Sequence, residues 1–146
     1  MHNRKLIKIR QEKENINNFE EKIFFKDYQN DFVERVSLIN ENFEKSLAFG
    51  FRGSKLEFST NVKNVIYGNL GKSNKTNIIY DEELMPFKES SLDLIMSFFN
   101  LHFANEVPGI LYQSLRSLKP YGLFIASMFC ENSLQELNYS FIKAEE

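Results

Sequence analysis

The stretch from Tyr80 to Phe129 constrains the fold of this chain more than any other part. It reads as a strand, an acidic turn, a nearly all-apolar strand over Leu92–Phe98, an amphipathic helix, a proline–glycine turn and a final strand. A strand that is apolar along its whole length is typical of a parallel sheet that helices cover on both faces. Strands that alternate with helices predict βαβ units. We therefore expect an α/β, Rossmann-like, doubly wound and mostly parallel sheet of about five strands.

Shorter apolar patterns predict the remaining elements. Apolar residues three or four apart between Phe19 and Phe43 predict one long helix, with a break near Lys26-Asp27. Asn105, followed by Glu106 and Pro108, predicts the N-cap of the helix that precedes the last strand. The other predicted elements are strands at Ser46–Phe49, Asn64–Tyr67, Asn77–Tyr80 and Leu123–Phe129, a short helix at Lys55–Thr60 and a last helix at Ser133–Glu146.

The composition is that of a single globular domain. The chain has 146 residues, is 42% hydrophobic and carries a formal net charge of −2, which argues against a disordered chain and against a nucleic-acid-binding protein. Cys130 is the single cysteine, so no internal disulfide can form and a reducing, cytoplasmic location is expected. No apolar run approaches the ~18–20 residues of a membrane span, and the basic start lacks the apolar core of a secretory signal.

Residues 1–18 are interpreted as a basic N-terminal arm, followed by a domain over residues 19–146. The basic residues of the arm are Arg4, Lys5, Lys8, Arg10 and Lys13. The favoured interpretation is a solvated and frayed segment, because chain termini are often poorly ordered. The alternative is a basic flap over an anionic ligand or an acidic carrier protein.

Polar residues follow the predicted strands, at the edge of the sheet where open α/β folds bind ligands. The first strand runs into a turn that contains Gly50, Arg52 and Gly53, a position where such folds hold a phosphate or a carboxylate. Asp81 and Glu82 follow the third strand and are expected at the same edge.

The carboxyl end of the fourth strand carries Ser97, Asn100 and His102, of which Ser97 and His102 are the candidate site residues. His102 is either a packed, hydrogen-bonded histidine or a pocket residue that acts as an acid or a base. No spacing of ligand residues predicts a metal site.

Several segments together resemble a known protein family. They are Asp81-Glu82-Glu83-Leu84-Met85-Pro86-Phe87-Lys88, Leu92-Asp93-Leu94-Ile95-Met96-Ser97, Leu101-His102-Phe103 and Leu118-Lys119-Pro120-Tyr121-Gly122. In this combination they are similar to the class I S-adenosylmethionine-dependent methyltransferases. Within them, the chain looks most like the branch of the malonyl-acyl-carrier-protein O-methyltransferase and of the complex I assembly factor that is an arginine hydroxylase.

The resemblance implies S-adenosylmethionine as the cofactor and methyl transfer as the activity. The cofactor-binding residues that it implies are Gly50, Arg52 and Gly53 near the methionine end, Asn69 near the ribose, Asp81 and Glu82 at the adenine, and Ser97 at the end of the fourth strand. His102 is implied as a pocket residue and is the one weak catalytic candidate.

The chain departs from the family pattern after its first and second strands. In the first turn, Ala48 stands at the family's acid, Arg52 at its second glycine and Ser54 at its third, with Gly53 out of step. After the second strand, Tyr67-Gly68-Asn69 lacks the acid that grips the ribose. A hydrogen bond to a charged group contributes roughly 1.5–3 kcal/mol, so the loss of two removes roughly 3–6 kcal/mol, about a hundredfold to ten-thousandfold in affinity. We therefore expect weak or absent binding of S-adenosylmethionine.

Three interpretations of the function stay open. The first is a methyltransferase that acts on a protein or an acyl carrier. The second is a non-catalytic assembly or interaction protein. The third is a truncated remnant, because the chain stops before the family's C-terminal strand pair. Without that pair, Leu123–Phe129 is expected to be an exposed edge strand through which two copies of the chain can associate.

Overall fold

The computed structural model of the protein describes residues 2–16, 23–51, 56–58, 60–72, 76–129 and 135–145. Within this part of the chain the strands are β1 (Ser46–Phe49), β2 (Val65–Asn69), β3 (Ile78–Ile79), β4 (Leu92–Phe98) and β5 (Leu118–Ser127). The helices are α1 (Arg4–Ile16), α2 (Ile23–Ser37), α3 (Val107–Ser117) and α4 (Gln135–Glu145), with a short 3₁₀ turn over Leu101–Phe103.

The sheet is parallel throughout and has the strand order β3-β2-β1-β4-β5. β1 lies at its centre, where Ala48 is level with Tyr67 of β2 and Met96 of β4. Every residue of β1 is buried, as expected for a strand that is covered on both faces and paired on both sides. This architecture confirms the predicted α/β, Rossmann-like sheet.

Helices cover both faces of the sheet, because side chains alternate along each strand. Val36 of α2 packs in the core cluster that contains Met96 of β4. Ile110 of α3 packs in a second cluster that contains Ile95, the neighbouring residue of β4. Burial of an aliphatic side chain of this size contributes about 1.5–3 kcal/mol, so β4 anchors both layers of helices.

The helix α2 is shorter than the sequence pattern predicted. It runs without interruption through Lys26-Asp27, so the predicted break is wrong, and it ends at Ser37. Phe43, the last position of the apolar pattern, instead forms an isolated parallel bridge with Val62. The ring of Phe43 is buried in the same core cluster as Val36, which explains how it keeps the apolar spacing without being helical.

Two segments between the first strands differ from the prediction. Residues 56–58 and Thr60, which belong to the predicted helix Lys55–Thr60, are not helical. The backbone N–H of Leu56 donates instead to the hydroxyl of Tyr67 at 3.3 Å. β2 extends to Asn69, and β3 is limited to the two residues that pair with it.

The last strand begins earlier than predicted, at Leu118. The residues at positions 118 and 123 pair with positions 92 and 94 of β4, so residues 119–122 form a bulge opposite Asp93. Tyr121 has a φ of 66° in this bulge and supplies the bend that the sequence predicted as a turn before the strand. β5 is an edge strand, and in the described part of the chain it pairs with β4 only.

The predicted N-cap of α3 is wrong. Glu106 occupies the N-cap position, and its side chain makes no capping hydrogen bond. The side chain of Asn105 is engaged elsewhere: its Oδ1 accepts from the backbone N–H of His2 at 2.5 Å and its Nδ2 donates to the carbonyl of His2 at 3.2 Å. A contact from the start of the chain therefore replaces the cap.

The last helix, α4, agrees with the predicted segment over its described length. The predicted start of this helix, at Ser133, lies outside the described residues. Tyr139, Phe141 and Ile142 of α4 are exposed. None of the helices in the described ranges combines the length and the apolar character that crossing a lipid bilayer requires.

The N-terminal arm is a packed helix in its described part. α1 buries Ile7 and Gln11, which are 8% and 4% exposed. The favoured interpretation of a solvated, frayed arm is therefore wrong for residues 4–13. The alternative, a basic flap over an anionic ligand or an acidic carrier protein, stays a prediction. The boundary of the arm at residue 18 lies outside the described residues and stays a prediction.

Gly50 ends β1 at a point where no larger residue fits. Its φ is 80°, in the left-handed region that favours glycine. A Cβ added at Gly50 would overlap the carbonyl oxygen of Phe98 and would lie 2.7 Å from the Cβ of Asn100. The close approach of β1 and β4 at their carboxyl ends therefore requires glycine at position 50.

We expect Gly50→Ala to lower the free energy of unfolding by at least about 2 kcal/mol, because a left-handed backbone costs about 1–2 kcal/mol and overpacking about 1–3 kcal/mol. Denaturant unfolding followed by circular dichroism measures this change. Gly109→Ala is the matched control, since a Cβ in α3 meets only the flexible side chain of Glu106. The control is expected to stabilise by about 0.5–1 kcal/mol. Equal losses in the two variants would contradict the packing argument.

Asp93 ties the starts of three strands together. Its Oδ2 accepts from the backbone N–H of Lys45, just before β1, at 2.9 Å. Its Oδ1 accepts from Nζ of Lys119, in β5, at 2.8 Å. Burial alone would raise the pKa of Asp93, but the Lys119 ammonium and the backbone N–H groups outweigh it and hold the pKa below its ordinary value of 3.8.

We expect Asp93→Asn to lower the free energy of unfolding by about 1 kcal/mol at neutral pH. Because the pKa of Asp93 is lower in the folded than in the unfolded state, its contribution is present above the unfolded value and is lost as the pH falls through the folded value. Denaturant melts of the two proteins should therefore converge at acid pH. The control Asp31→Asn, in an exposed pair with Arg35, should change stability less. A wild-type advantage that persists unchanged at about pH 2 would rule out this linkage.

Candidate functional site

The carboxyl ends of β1, β2 and β4 bring several predicted site residues into one network. The backbone N–H of Gly50 donates to Oδ1 of Asn69 at 3.1 Å. On its other side Gly50 lies in close contact with Asn100. Nδ2 of Asn100 in turn donates to Oε1 of Glu82 at 2.8 Å. Asn69 thus connects the end of β2 to the turn after β1, and Asn100 connects that turn to the loop after β3, at the edge where parallel strands end.

The loop after β3 carries consecutive acids from Asp81 to Glu83, and hydrogen bonds from two sides fix its shape. Oδ1 of Asp81 accepts from the backbone N–H of Glu83 at 3.0 Å, which closes a tight turn. Oε1 of Glu83 accepts from the backbone N–H of Asn105 at 2.5 Å. Gln113 of α3 donates to the carbonyl of Glu83 at 2.8 Å and accepts from the N–H of Met85 at 2.9 Å. The loop therefore presents its carboxylates in fixed positions.

Arg4 of α1 is the cation that pairs with this acidic loop. Its Nε and Nη2 donate to the two oxygens of Asp81 at 3.2 and 2.6 Å, and Nη2 lies 2.8 Å from Oε2 of Glu82. The side chains of Arg4 and Glu82 are only 18% and 4% exposed. Burial alone would lower the pKa of Arg4, but the hydrogen bonds to the two carboxylates outweigh it and raise the pKa above its ordinary value. The guanidinium is therefore permanently charged.

The same helix contacts two further loops at this edge. Nη1 of Arg4 donates to the carbonyl of Phe103, in the segment after β4, at 3.3 Å. Oε1 of Gln11 accepts from the backbone N–H of Gly71, after β2, at 2.9 Å. The backbone N–H of His2 donates to Asn105, as described above. The segment from His2 to Gln11 thus bonds to the loops that follow β2, β3 and β4.

Several buried polar atoms have no hydrogen-bond partner among the described residues, and those of Ser97 (Oγ), Asn100 (Oδ1) and Tyr80 (hydroxyl) are among them. Ser97 is fully buried in β4, opposite Phe49. Burial, and then the charge of Glu82, raise the pKa of Tyr80, so its hydroxyl stays neutral. Buried groups of this kind are nearly always paired in native proteins, so the site is suited to a polar ligand that completes them.

The region where the resemblance implies a ribose-binding acid, Tyr67-Gly68-Asn69, is occupied in another way. Gly68 of β2 lies against the ring of Tyr80, and a Cβ added at Gly68 would overlap Cε1 of that ring. A side chain at position 68 therefore conflicts with the packing of Tyr80. Asn69, the next residue, is the polar side chain that remains at the end of β2.

The structure brings some predicted candidates together and separates others. Those in or beside the network are Gly50, Asn69, Asp81, Glu82 and Ser97. Arg52 and Gly53 lie outside the described residues. The ring of His102 packs against the rings of Phe103 and Phe129, with centroids 4.1 and 5.2 Å away. A catalytic role for His102 stays a prediction.

Three residues of the site were not among the candidate site residues predicted from the sequence: Arg4, Asn100 and Gln113. Arg4 lies 77 residues from Asp81 in the chain, and its only signal was its charge within a basic segment. Asn100 was visible only as a polar residue after an apolar strand. Gln113 lies in the middle of α3 and carries no sequence signal for its contacts with the acidic loop.

Comparison with known families matches residues 54–126, half of the chain, to the family described as a methyltransferase domain. The chain belongs to this family. The acidic loop, β4, α3 and most of β5 lie within the matched residues of the methyltransferase domain. The resemblance to the class I S-adenosylmethionine-dependent methyltransferases is thereby confirmed.

Curated proteins match part of this methyltransferase-family chain. The Mus musculus protein named arginine-hydroxylase NDUFAF5, mitochondrial, is 44% identical over 69 residues, which are 47% of this chain and 20% of that protein. The Dictyostelium discoideum protein of the same name is 42% identical over 65 residues, 44% of this chain and 15% of that protein. The chain thus spans a fifth or less of the length of these relatives. Their names place those proteins in mitochondria, and the cytoplasmic location expected for this chain stays a prediction.

A solved structure shows the same fold. The crystal structure of an S-adenosylmethionine-dependent methyltransferase from Thermotoga maritima superposes with a TM-score of 0.59 at 15% sequence identity. The match covers 90% of this chain and 66% of that one. At this identity the likeness establishes the architecture, which agrees with the parallel five-stranded sheet.

Proposed function

We propose that this methyltransferase-family domain binds the adenosyl part of S-adenosylmethionine at the carboxyl edge of its sheet, with a lower affinity than an intact site of the family. The observation that carries the proposal is the network that joins Gly50, Asn69, Asn100 and Glu82, with Asp81 beside it. Ligands of open α/β sheets bind at this edge, where the strand order reverses. In this sheet the reversal lies between β1 and β4.

The acidic loop suits the adenine end of the ligand. The carboxylates of Asp81 and Glu82 accept hydrogen bonds from an amino group, and Oδ1 of Asn100 is a buried acceptor without a described partner. Acceptors of this kind favour an amino-substituted purine over one with a carbonyl, since a buried acceptor that faces another acceptor is left unpaired. We therefore propose that the site selects adenosine over inosine.

The part of the site toward the methionine and ribose ends keeps fewer of the residues that the resemblance implies. Gly50 keeps the left-handed turn that lets the backbone approach a ligand closely. By the resemblance, Arg52 replaces a glycine near the methionine end, and Asn69 replaces an acid near the ribose. S-adenosylmethionine supplies a transferable methyl group when it is bound. The residues of this chain would hold the methyl donor in position relative to its acceptor, which is the main contribution of protein groups to such a transfer.

We expect S-adenosylhomocysteine to bind the wild-type chain in isothermal titration and Asp81→Asn to weaken that binding roughly tenfold, because one charge-assisted hydrogen bond is lost. Glu89→Gln is the matched control. Glu89 is an exposed acid paired with Arg116, before β4 and away from the carboxyl edge, so this variant should bind as the wild type does.

Adenosine and inosine test the selectivity of the same site, with adenosine expected to bind more tightly. The absence of both heat and a thermal shift at about 10 mM S-adenosylhomocysteine would disprove the proposed function, because saturating ligand must stabilise a protein that binds it. Equal binding of adenosine and inosine would disprove the role of the acidic loop.

A second candidate function, an interaction domain without catalysis, is favoured by exposed apolar groups. Leu111, Tyr112 and Leu115 of α3 are 43%, 67% and 72% exposed. β5 adds a strand edge that is unpaired in the described part of the chain. Exposed apolar patches and strand edges are typical of protein contact sites, so a second copy of the chain or a protein substrate suits this side.

We expect sedimentation velocity to show association of the chain as its concentration rises. Ala126→Lys places a charge on an exposed position of β5 and should restore the monomer if the strand edge is the contact. Leu111→Lys places the same charge on α3 and serves as the comparison. A monomer at every concentration would refute self-association. If Leu111→Lys alone restored the monomer, the contact would lie on α3 and not on the edge of β5.

A further inference from the structure

The attachment of α1 to the carboxyl edge is mainly polar. Arg4 and Gln11 bond to the loops after β3 and β2, and Ile7 is the apolar side chain that α1 buries in its described part. Leu6 and Ile9 remain 51% and 45% exposed on the outer side of the helix. A segment held by few buried apolar contacts opens at a lower free-energy cost than the core, so α1 can leave the edge while the sheet stays folded.

Charge complementarity holds the helix in place. α1 contains five basic and two acidic residues, whereas the loop after β3 presents three consecutive acids. Arg4 makes the direct contact and uses both oxygens of Asp81 and one oxygen of Glu82. Arg4 adds the attraction of opposite charges to a two-pronged pair of hydrogen bonds with Asp81, whereas a neutral amine supplies hydrogen bonds without a charge. An amine that approaches these oxygens therefore has to displace the guanidinium.

We infer that α1 is a strap over the site and that Arg4 is an internal competitor for the carboxylates that receive the amino group of adenosine. The inference rests on the proposed function, because it states when the adenosyl site is open. Without ligand, the guanidinium neutralises the acidic loop and the strap is closed. Binding of the nucleoside releases Arg4 from Asp81 and Glu82. The apparent affinity is then the intrinsic affinity reduced by the fraction of molecules in which the strap is open.

Two arginines of the same helix provide a matched pair of variants for the full-length chain. Arg4→Gln removes the cation that contacts the acids, whereas Arg10→Gln removes the same charge from an exposed position. We expect Arg4→Gln to bind adenosine and S-adenosylhomocysteine roughly tenfold more tightly than the wild type, and Arg10→Gln to bind as the wild type does. Isothermal titration measures both. Arg4→Lys keeps the charge but loses the two-pronged contact, should bind with intermediate affinity, and tests the same point if Arg4→Gln does not fold.

Salt dependence and hydrogen exchange provide a second readout. Adenosine is uncharged, so salt should act mainly on the strap. Its affinity for the wild type should rise between about 50 and 500 mM salt and stay level for Arg4→Gln. Adenosine should also speed hydrogen exchange of the α1 amides in the wild type, because the helix leaves the edge when the ligand binds.

The outcomes separate this inference from the proposed function. Binding of equal strength in the wild type and both Arg4 variants would leave the adenosyl site intact and overturn the competition. Weaker binding of adenosine by Arg4→Gln would show that Arg4 supports the ligand and would also overturn the competition. Slower hydrogen exchange of the α1 amides in the presence of adenosine would have the same meaning. An absence of binding in the wild type and in both folded Arg4 variants would overturn the proposed function, and the competition with it.

Discussion

The parallel pairing of β1 with β2 on one side and β4 on the other is the constraint on which the rest of the structure depends. Because all four residues of β1 are buried, the strand cannot move without opening both faces of the core. Its end at Gly50 lies within contact of Phe98 and Asn100, which brings the loops after β1, β2 and β4 to one place. The acidic loop after β3 then meets Asn100 and α1 at the same edge.

The sequence predicted the elements whose signal is local. β1 and β4 have the predicted bounds, because short apolar strands between polar turns carry their pattern within a few residues. The boundaries that were wrong depend on contacts between distant parts of the chain. Phe43 keeps a helical spacing but packs from a bridge, and Asn105 bonds to His2 rather than to the helix that it precedes.

The candidate site was predictable to a similar extent. The acids Asp81 and Glu82 were identified because they follow a strand, and Gly50 because it ends one. Arg4 could not be identified, because a basic residue in a terminal segment is most often solvated, and only the folded chain brings it to Asp81. The site is therefore more strongly determined by tertiary charge pairing than by the motif around Gly50.

The contact between Gly68 and Tyr80 limits which substitutions this part of the site can accept. The ring of Tyr80 fills the space that any side chain at position 68 would need, so the two positions form one structural unit. An acid at the end of β2 and a large aromatic residue after β3 exclude each other at these two positions. Among related sequences, the two positions should therefore covary, with a small residue at one accompanying a ring at the other. A substitution that adds a side chain at position 68 therefore requires a smaller residue at position 80 as well.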